Sequence, residues 1–260
     1  MIDFHNHLVP GVDDGAEDLE QSRAALKAFR EQGVTTVVTT PHARASLAAR
    51  PEELEAFGAR VGAAWESLRA MAAAEFPDVR LEPGAEVMLD VPSADLSDPR
   101  LRLAGTRFAL VEFAYMAVPP NAAQVLFAVS VAGWRPVLAH PERYPGGAAA
   151  AEEWCRSGAL LQVNAASLAG RYGEEPRRAA REILSRGLAS YVASDYHARG
   201  NPRLTEFREL LEGEGASEHV TLLLETNPAL LLQDEPPLPV PPLPEPRRRS
   251  FFGRLFARGG

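Results

Sequence analysis

The sequence predicts an α/β protein, with parallel strands closed into a barrel and a Pro-rich C-terminal tail. Short β-branched or apolar runs alternate with amphipathic helical stretches roughly seven times, and repeated βα units favour a parallel sheet. Histidines and carboxylates stand at the ends of many of the strands. An open doubly wound sheet is the alternative, but it concentrates its chemistry at a single switch point. Donors at many strand ends suit a barrel, where all strand C-termini open on one face.

The first strand runs from Met1 straight into His5-Asn6-His7. Residues two apart on a strand share a face, so both imidazoles project together. Asp13-Asp14-Gly15 follows as a turn and offers carboxylates beside them. Residues 18–32 read as a helix, with Leu19, Ala25, Leu26 and Phe29 at helical spacing and Gly33 as its stop. Val34–Thr40 is β-branched, hence a strand, and it ends in Pro41-His42. Pro51 opens a long helix to residue 75, with Glu52 and Glu53 at the positive end of its dipole. Val79–Glu82 is a strand; Gly84 lets the chain turn sharply, and Glu86 points from the next short strand. Phe108–Phe113 is an apolar strand that carries Glu112, a carboxylate costly to bury unless paired or metal-bound. A helix over 124–131 ends at Gly133, and the strand 135–139 leads into His140-Pro141-Glu142-Arg143-Tyr144. Then come a helix (148–157), a strand (160–164), a helix (175–186) stopped by Gly187, and a strand (189–193) ending in Ser194-Asp195-Tyr196-His197. Two short helices follow, 203–213 and 217–224, with a last one after Asn227-Pro228.

Composition narrows the function. Hydrophobic content of 46% and charged content of 24% are those of a soluble globular protein. No run approaches the ~20 apolar residues that span a bilayer, and no signal peptide is visible, which points to the cytoplasm. The net charge of −8 argues against nucleic acid as a partner. Cys155 is the single cysteine, so no internal disulfide forms; it lies in a helical stretch with no phosphate-binding loop after it and reads as structural.

The composition changes after Leu232. Residues 233–246 are Pro-rich and read as an extended, flexible polyproline-type linker. Residues 247–260 form a basic amphipathic tip: on a helix Phe251, Phe252, Leu255 and Phe256 share one side, and Arg247, Arg254 and Arg258 another. Residues 235–260 hold five Arg against two Glu, a net +3, which leaves −11 on the body. Such a tip suits an anionic membrane surface or an acidic partner.

The chain has six histidines, and five of them (His5, His7, His42, His140 and His197) stand at or just after strand ends; His219 lies in a helix. Asp14, Glu86, Glu112 and Asp195 share the strand-end positions. In a parallel barrel these nine residues converge, too many N/O donors for one ion and enough for a cluster of two or three. The absence of cysteine disfavours a structural thiolate zinc site. Imidazole and carboxylate donors suit Mn, Fe or Zn. Such a cluster points to hydrolysis, with a water bridging two ions as nucleophile and the same ions neutralising a phosphoryl group. Arginines clamp phosphate oxygens well. Arg143 is the leading candidate, with Arg199 or Arg203 as a second.

The ordered set His5-x-His7, Asp13-Asp14-Gly15, Thr40-Pro41-His42, Pro83-Gly84-x-Glu86, His140-Pro-Glu-Arg-Tyr144, Gln162-Val-Asn164 and Ser194-Asp195-x-His197 resembles the PHP (polymerase and histidinol phosphatase) superfamily. Within it, the set is similar to the bacterial CpsB/CapC-type manganese-dependent protein tyrosine phosphatases. The resemblance runs from residue 1 to about 232 and implies a distorted (β/α)7, TIM-like barrel, the PHP fold, over 1–232. It implies a three-metal Mn²⁺ site: His5, His7, Glu86 and Asp195 on the first ion, Glu86, Glu112 and His140 on the second, and Asp14, His42 and His197 on the third. Asp14 is then the ligand of the Asp13-Asp14 pair, and Asp13 shapes the turn. The implied substrate is phosphotyrosine on a membrane-attached tyrosine autokinase that regulates capsule or exopolysaccharide synthesis, which gives the Arg247–Arg258 tip a reason to touch the inner face of the membrane. Ala43 and Tyr196 depart from the family pattern, and the second phosphate-binding arginine is ambiguous between Arg199 and Arg203. Histidinol-phosphate phosphatase is the sister activity; a non-catalytic scaffold that docks the kinase is the reading of another class.

Overall fold

The computed structural model describes residues 1–244. Among these residues nine strands, all parallel, form two sheets. The smaller holds β1 (Ile2–Asp3), β2 (Thr36–Thr39) and β4 (Arg80–Pro83), in that order. The larger runs β3 (His42–Arg44), β5 (Glu86–Leu89), β6 (Phe108–Phe113), β7 (Arg135–Ala139), β8 (Leu160–Asn164) and β9 (Ala189–Ala193).

The two sheets are one barrel whose staves break. β2 leads into β3 across Thr40-Pro41, and β4 leads into β5 across Gly84-Ala85, so each pair is a single bent stave. The strand expected over 34–40 is shortened to Thr36–Thr39, and a further strand that was not expected begins at His42. Pro41 has no N–H for the ladder, and Thr40 donates its own N–H to Asn6 O at 2.8 Å instead of continuing the pairing with β4. On the far side Asp195 N–H reaches His5 O (2.8 Å), and His7 N–H reaches Tyr196 O (2.9 Å). An isolated bridge between Asn6 and Tyr196 joins the end of β1 to the end of β9. Seven staves thus close a distorted ring: β1, β2/β3, β4/β5, β6, β7, β8 and β9.

The strand period divides the core. Phe4, Val38, Phe108, Leu110, Val137, Ala139 and Tyr191 fill the barrel interior, and a larger cluster packs the outer faces against the helices. Those helices are α1 (Leu19–Glu31), α2 (Pro51–Glu75), α3 (Ala122–Val131), α4 (Gly147–Arg156), α5 (Ala165–Leu168), α6 (Glu174–Ser185), α7 (Leu204–Gly213), α8 (Ser217–Thr221) and α9 (Asn227–Leu232). Burying the 0%-exposed Phe108 and Leu110 stabilises the barrel by about 2–3 kcal/mol each. Glu112 stands on the same inward face two residues beyond Leu110, so the interior ends in a carboxylate at the open end. The two last helices expected as separate pieces are continuous through a π-turn over Leu222–Thr226. Pro228 cannot donate into the preceding turn, and a wider turn accommodates the missing bond.

Sequence alone suggests a free, flexible linker here, yet through residue 243 the Pro-rich segment lies against the body. Asn227 accepts Leu238 N–H (2.8 Å) and donates to Leu238 O (3.0 Å); Leu243 N–H reaches Leu184 O at 3.3 Å. Val240 and Leu243 are buried. Its contact with α6 passes Gly187, where a Cβ would meet Val240 O at 2.7 Å. Residues 245–260, including the basic tip, lie outside the described residues.

Candidate metal centre

The strand ends carry the donors to one place. β1 continues into His5 and His7, β3 begins with His42, β5 begins with Glu86, β6 carries Glu112, and the turns after β7 and β9 hold His140, Asp195 and His197. Register sets His42 opposite Glu86, and Met88 opposite Glu112. Asp14 joins from the turn after His7. His140 (φ 38°) and Asp195 (φ 52°) both hold left-handed backbone, a strain of about 1–3 kcal/mol per residue that tends to collect at functional sites.

The donors form four overlapping groups: His7 with Asp14, His42 and His197; His5 with His140 and Asp195; His5 with His7 and Glu86; and His42 with Glu86 and Glu112. Within each group the donor atoms lie within 4.8 Å of one another. All nine expected residues take part. Glu86 lies at the middle, its carboxylate 3.2 Å from His5 Nε2, 3.0 Å from His140 Nε2 and 3.2 Å from His42 Nδ1. His42 faces both ways, with Nε2 at 3.3 Å from Asp14.

Hydrogen bonds aim the imidazoles. His5 donates through Nδ1 to Gln162 Oε1 (2.7 Å), Gln162 Nε2 donates to Asn164 Oδ1 (2.9 Å), and Asn164 Nδ2 donates to Asp195 Oδ2 (2.7 Å). His7 Nδ1 donates to Asp13 Oδ2 at 2.8 Å, and His197 Nδ1 donates to the Asp195 carbonyl at 3.0 Å. Each bond fixes the tautomer and turns the Nε2 lone pair toward the centre. The buried Nε2 atoms of His5 and His7 have no hydrogen-bond partner among the described residues. An unsatisfied buried acceptor costs about 1–3 kcal/mol. A cation at the centre would satisfy both, so the residues fit a metal.

The charges point the same way. Burial opposes charge on His5, but Glu86 and Asp195 outweigh it and hold the imidazole up at about 9. Burial also opposes charge on His7, yet Asp13, Asp195 and Glu86 raise it well above the usual range. Glu112 is pushed up to about 8, first by burial and then by the neighbouring Glu86. Burial disfavours ionised Glu86, but His5 and His140 hold it well below the ordinary carboxylate range. Packed carboxylates that repel one another are the setting a cation relieves.

Arg143 is one turn past His140. Its Nη1 donates to Asp195 Oδ2 at 2.8 Å, and its guanidinium lies 4.6 Å over the Tyr172 ring. Arg199 and Arg203 line a pocket of about 240 Å³ beside Asp195 and His197. Arg199 is exposed with Glu17 at 3.9 Å, whereas Arg203 is held by Glu206 at 3.0 Å.

Several supporting groups owe their roles to contacts that the sequence motifs alone do not specify. Asp13 orients His7 as well as shaping its turn through Gly15 N–H (3.0 Å). Glu142 is buried and accepts from Asn164 N–H (3.0 Å) and Ser167 Oγ (2.6 Å), tying the turn after β7 to the end of β8. Tyr144 Oη accepts Phe113 N–H at 3.0 Å. The signal for Gln162 and Asn164 was present: two polar residues at period two in an otherwise apolar buried strand. Nothing in the sequence singled out Tyr172.

Fold and site together define a class, a distorted βα-barrel whose strand ends converge on an imidazole and carboxylate centre of metal-binding type. The family profile described as "Capsular polysaccharide synthesis, CpsB/CapC" matches residues 1–233, and the chain belongs to that family. Tyrosine-protein phosphatase YwqE of Bacillus subtilis is 31% identical over 96% of this chain and 99% of its own length. Tyrosine-protein phosphatase CpsB of Streptococcus pneumoniae is 28% identical over 90% of this chain and 99% of its own. A chain from the crystal structures of YwqE and CpsB, described as unique metal-dependent tyrosine phosphatases, superposes with a TM-score of 0.77 at 29% identity, over 94% of this chain and 99% of that one.

Proposed function

We propose that this chain is a metal-dependent tyrosine-protein phosphatase acting in capsule or exopolysaccharide synthesis. The observation that carries the reading is the convergence of nine N/O donors, two of them with buried lone pairs otherwise unmet, beside a half-buried arginine. The named phosphatase relatives support it across almost the whole chain.

In this reading His5, His7, Glu86 and Asp195 hold one cation, Glu86, Glu112 and His140 a second, and Asp14, His42 and His197 a third. Mn²⁺ suits a donor set of imidazoles and carboxylates without thiolate. Bound divalent ions supply Lewis acidity, polarising phosphoryl oxygens and acidifying water. Arg143 orients the phosphoryl group, its guanidinium kept in place by Asp195 and Tyr172, and Arg199 or Arg203 clamps a further oxygen from the neighbouring pocket. Water attacks phosphorus and the P–O bond to the tyrosyl oxygen breaks. The phenolate, with a parent pKa of about 10, leaves without a strong general acid.

The proposed protein substrate is a membrane-attached tyrosine autokinase. Residues 1–232 act as the catalytic domain, 233–246, held to it through residue 243, join it to the tip, and the Arg247–Arg258 tip acts as a contact with the inner face of the membrane. Among the described residues no helix is long and apolar enough to cross a membrane. A peptide of residues 235–260 should bind anionic vesicles and release as salt rises; no binding at low salt refutes the membrane contact.

The decisive assay compares hydrolysis of a phosphotyrosyl peptide and of histidinol phosphate, after chelation and after Mn²⁺ is restored. Mn²⁺-dependent turnover of the peptide is expected. No turnover of either compound refutes catalysis, and preference for histidinol phosphate reassigns the substrate.

A further inference from the structure

Two unlike hollows flank the metal centre. The pocket beside Asp195 and His197 is lined by Arg171, Arg199 and Arg203 and suits an anion. On the other side a cleft of about 770 Å³ opens from His42 and Glu112, within the range of pockets that take organic ligands. Leu47, Phe57, Met88 and Met116 supply its apolar lining. Phe57 comes from α2 and Met88 from β5, while Met116, at φ 56°, is held in the turn after β6. Two exposed cations, Arg44 and Arg60, also line it. Glu53 beside them is taken by Arg50 at 3.0 Å. Neither Arg44 nor Arg60 meets a carboxylate within 4.0 Å among the described residues.

We propose that this cleft is the leaving-group subsite: it seats the aromatic ring of the phosphotyrosine, and Arg44 and Arg60 meet an acidic residue flanking it in the substrate. The inference rests on the phosphatase reading. A phosphate monoester at the centre presents an anionic end and an organic end, and the centre's two sides match them. Glu112 and His42, both members of donor groups, also line the cleft, so a ring seated there adjoins the centre and can depart with its phenolate oxygen once the P–O bond breaks. Thioethers of Met88 and Met116 are adaptable and favour contact with ring edges. Guanidinium groups with no carboxylate partner among the described residues favour a carboxylate neighbour over a basic one.

The test uses the full, Mn²⁺-loaded chain and two non-hydrolysable probes, phenylphosphonate and methylphosphonate, in competition binding. The native chain should prefer the phenyl probe about tenfold or more, from burial of the ring. Met88→Trp, which fills the cleft, should bring the two affinities together while methylphosphonate binding is kept; Leu47→Trp fills it from another wall, should Met88→Trp not fold. Equal binding of both probes by the native chain, or a preference that survives both fillings, overturns the subsite and leaves the phosphatase reading standing. Failure to bind either probe overturns both. For the flank, an R44A/R60A double variant should keep kcat and raise KM about threefold to fivefold for a peptide with Glu beside the phosphotyrosine, relative to one with Ala there. An unchanged ratio removes the acidic-flank assignment.

Discussion

At the scale of single residues, the site depends on side chains that aim other side chains. His5 is useful as a donor because Gln162 holds its Nδ1–H at 2.7 Å. Gln162→Ala leaves that N–H buried without an acceptor and frees the ring to turn. Metal affinity, measured against a competing chelator, should fall about tenfold to a hundredfold; an unchanged affinity would show that packing alone orients His5. Protonation of the ion-free centre is a second residue-scale matter. His5 is held up at about 9 and Glu112 at about 8, both above their ordinary values of 6.5 and 4.5. The folded, ion-free chain therefore binds more protons than the unfolded chain. The stabilisation from charged His5 is complete below pH 6.5 and is lost as pH rises through about 9, and Glu112 adds a loss in the same direction between 4.5 and about 8. A bound cation displaces those protons. The ion-free protein should melt lower at pH 9 than at pH 6.5, the Mn²⁺-loaded protein should change less, and Mn²⁺ binding should release protons in calorimetry. A melting temperature of the ion-free protein that climbs over this window contradicts the assignment.

At the scale of elements, turns at strand ends decide what the donors can reach. The turn Asp13-Asp14-Gly15 folds back so tightly that a Cβ on Gly15 would run into the His7 carbonyl and Cβ. The close approach is what lets Asp13 bond His7 Nδ1 and the His42 N–H (3.1 Å) together while Asp14 reaches His42 and His197. Gly15→Ala must push the turn away from His7. Phosphotyrosyl hydrolysis should drop at least tenfold with the far-ultraviolet circular dichroism unchanged; full activity would mean the turn relaxes without moving its carboxylates. The broken staves serve a similar end. Ending β2 at Thr39 and restarting at His42 lets one stave pair with β4 low in the barrel while His42 sits opposite Glu86 at the top.

At the scale of the whole molecule, the described part of the C-terminal segment belongs to the body. Asn227 makes two hydrogen bonds to it, with Leu238 O and Leu238 N–H, and is itself fixed to β9 by a third, to Ser190 O. Asn227→Ala should cost about 2–3 kcal/mol and lower the melting temperature by roughly 5–10 °C, with faster proteolysis within 235–243. Unaltered proteolysis would mean that Val240 and Leu243 suffice to anchor the segment.

The alternation of strand and helix and the nine candidate donors were legible in the chain alone, because both are local properties. Period and β-branching mark a strand within a few residues, and histidine or carboxylate at its end needs no partner to be noticed. Glu112 stands out as a charge in an apolar run, and Gln162-Val-Asn164 stands out as part of the motif set, though its bond to His5 Nδ1 does not follow from sequence. Only the tertiary structure decided which donors share a group, that Asp13 orients His7, that Tyr172 backs Arg143, and that the Pro-rich segment is held against the body. Those facts rest on contacts between residues 6 to 190 positions apart, such as His7 with Asp13 and His5 with Asp195. Register, stave breaks and closure of the barrel through Asn6 and Tyr196 set such contacts, and none of these follows from the period of a single element.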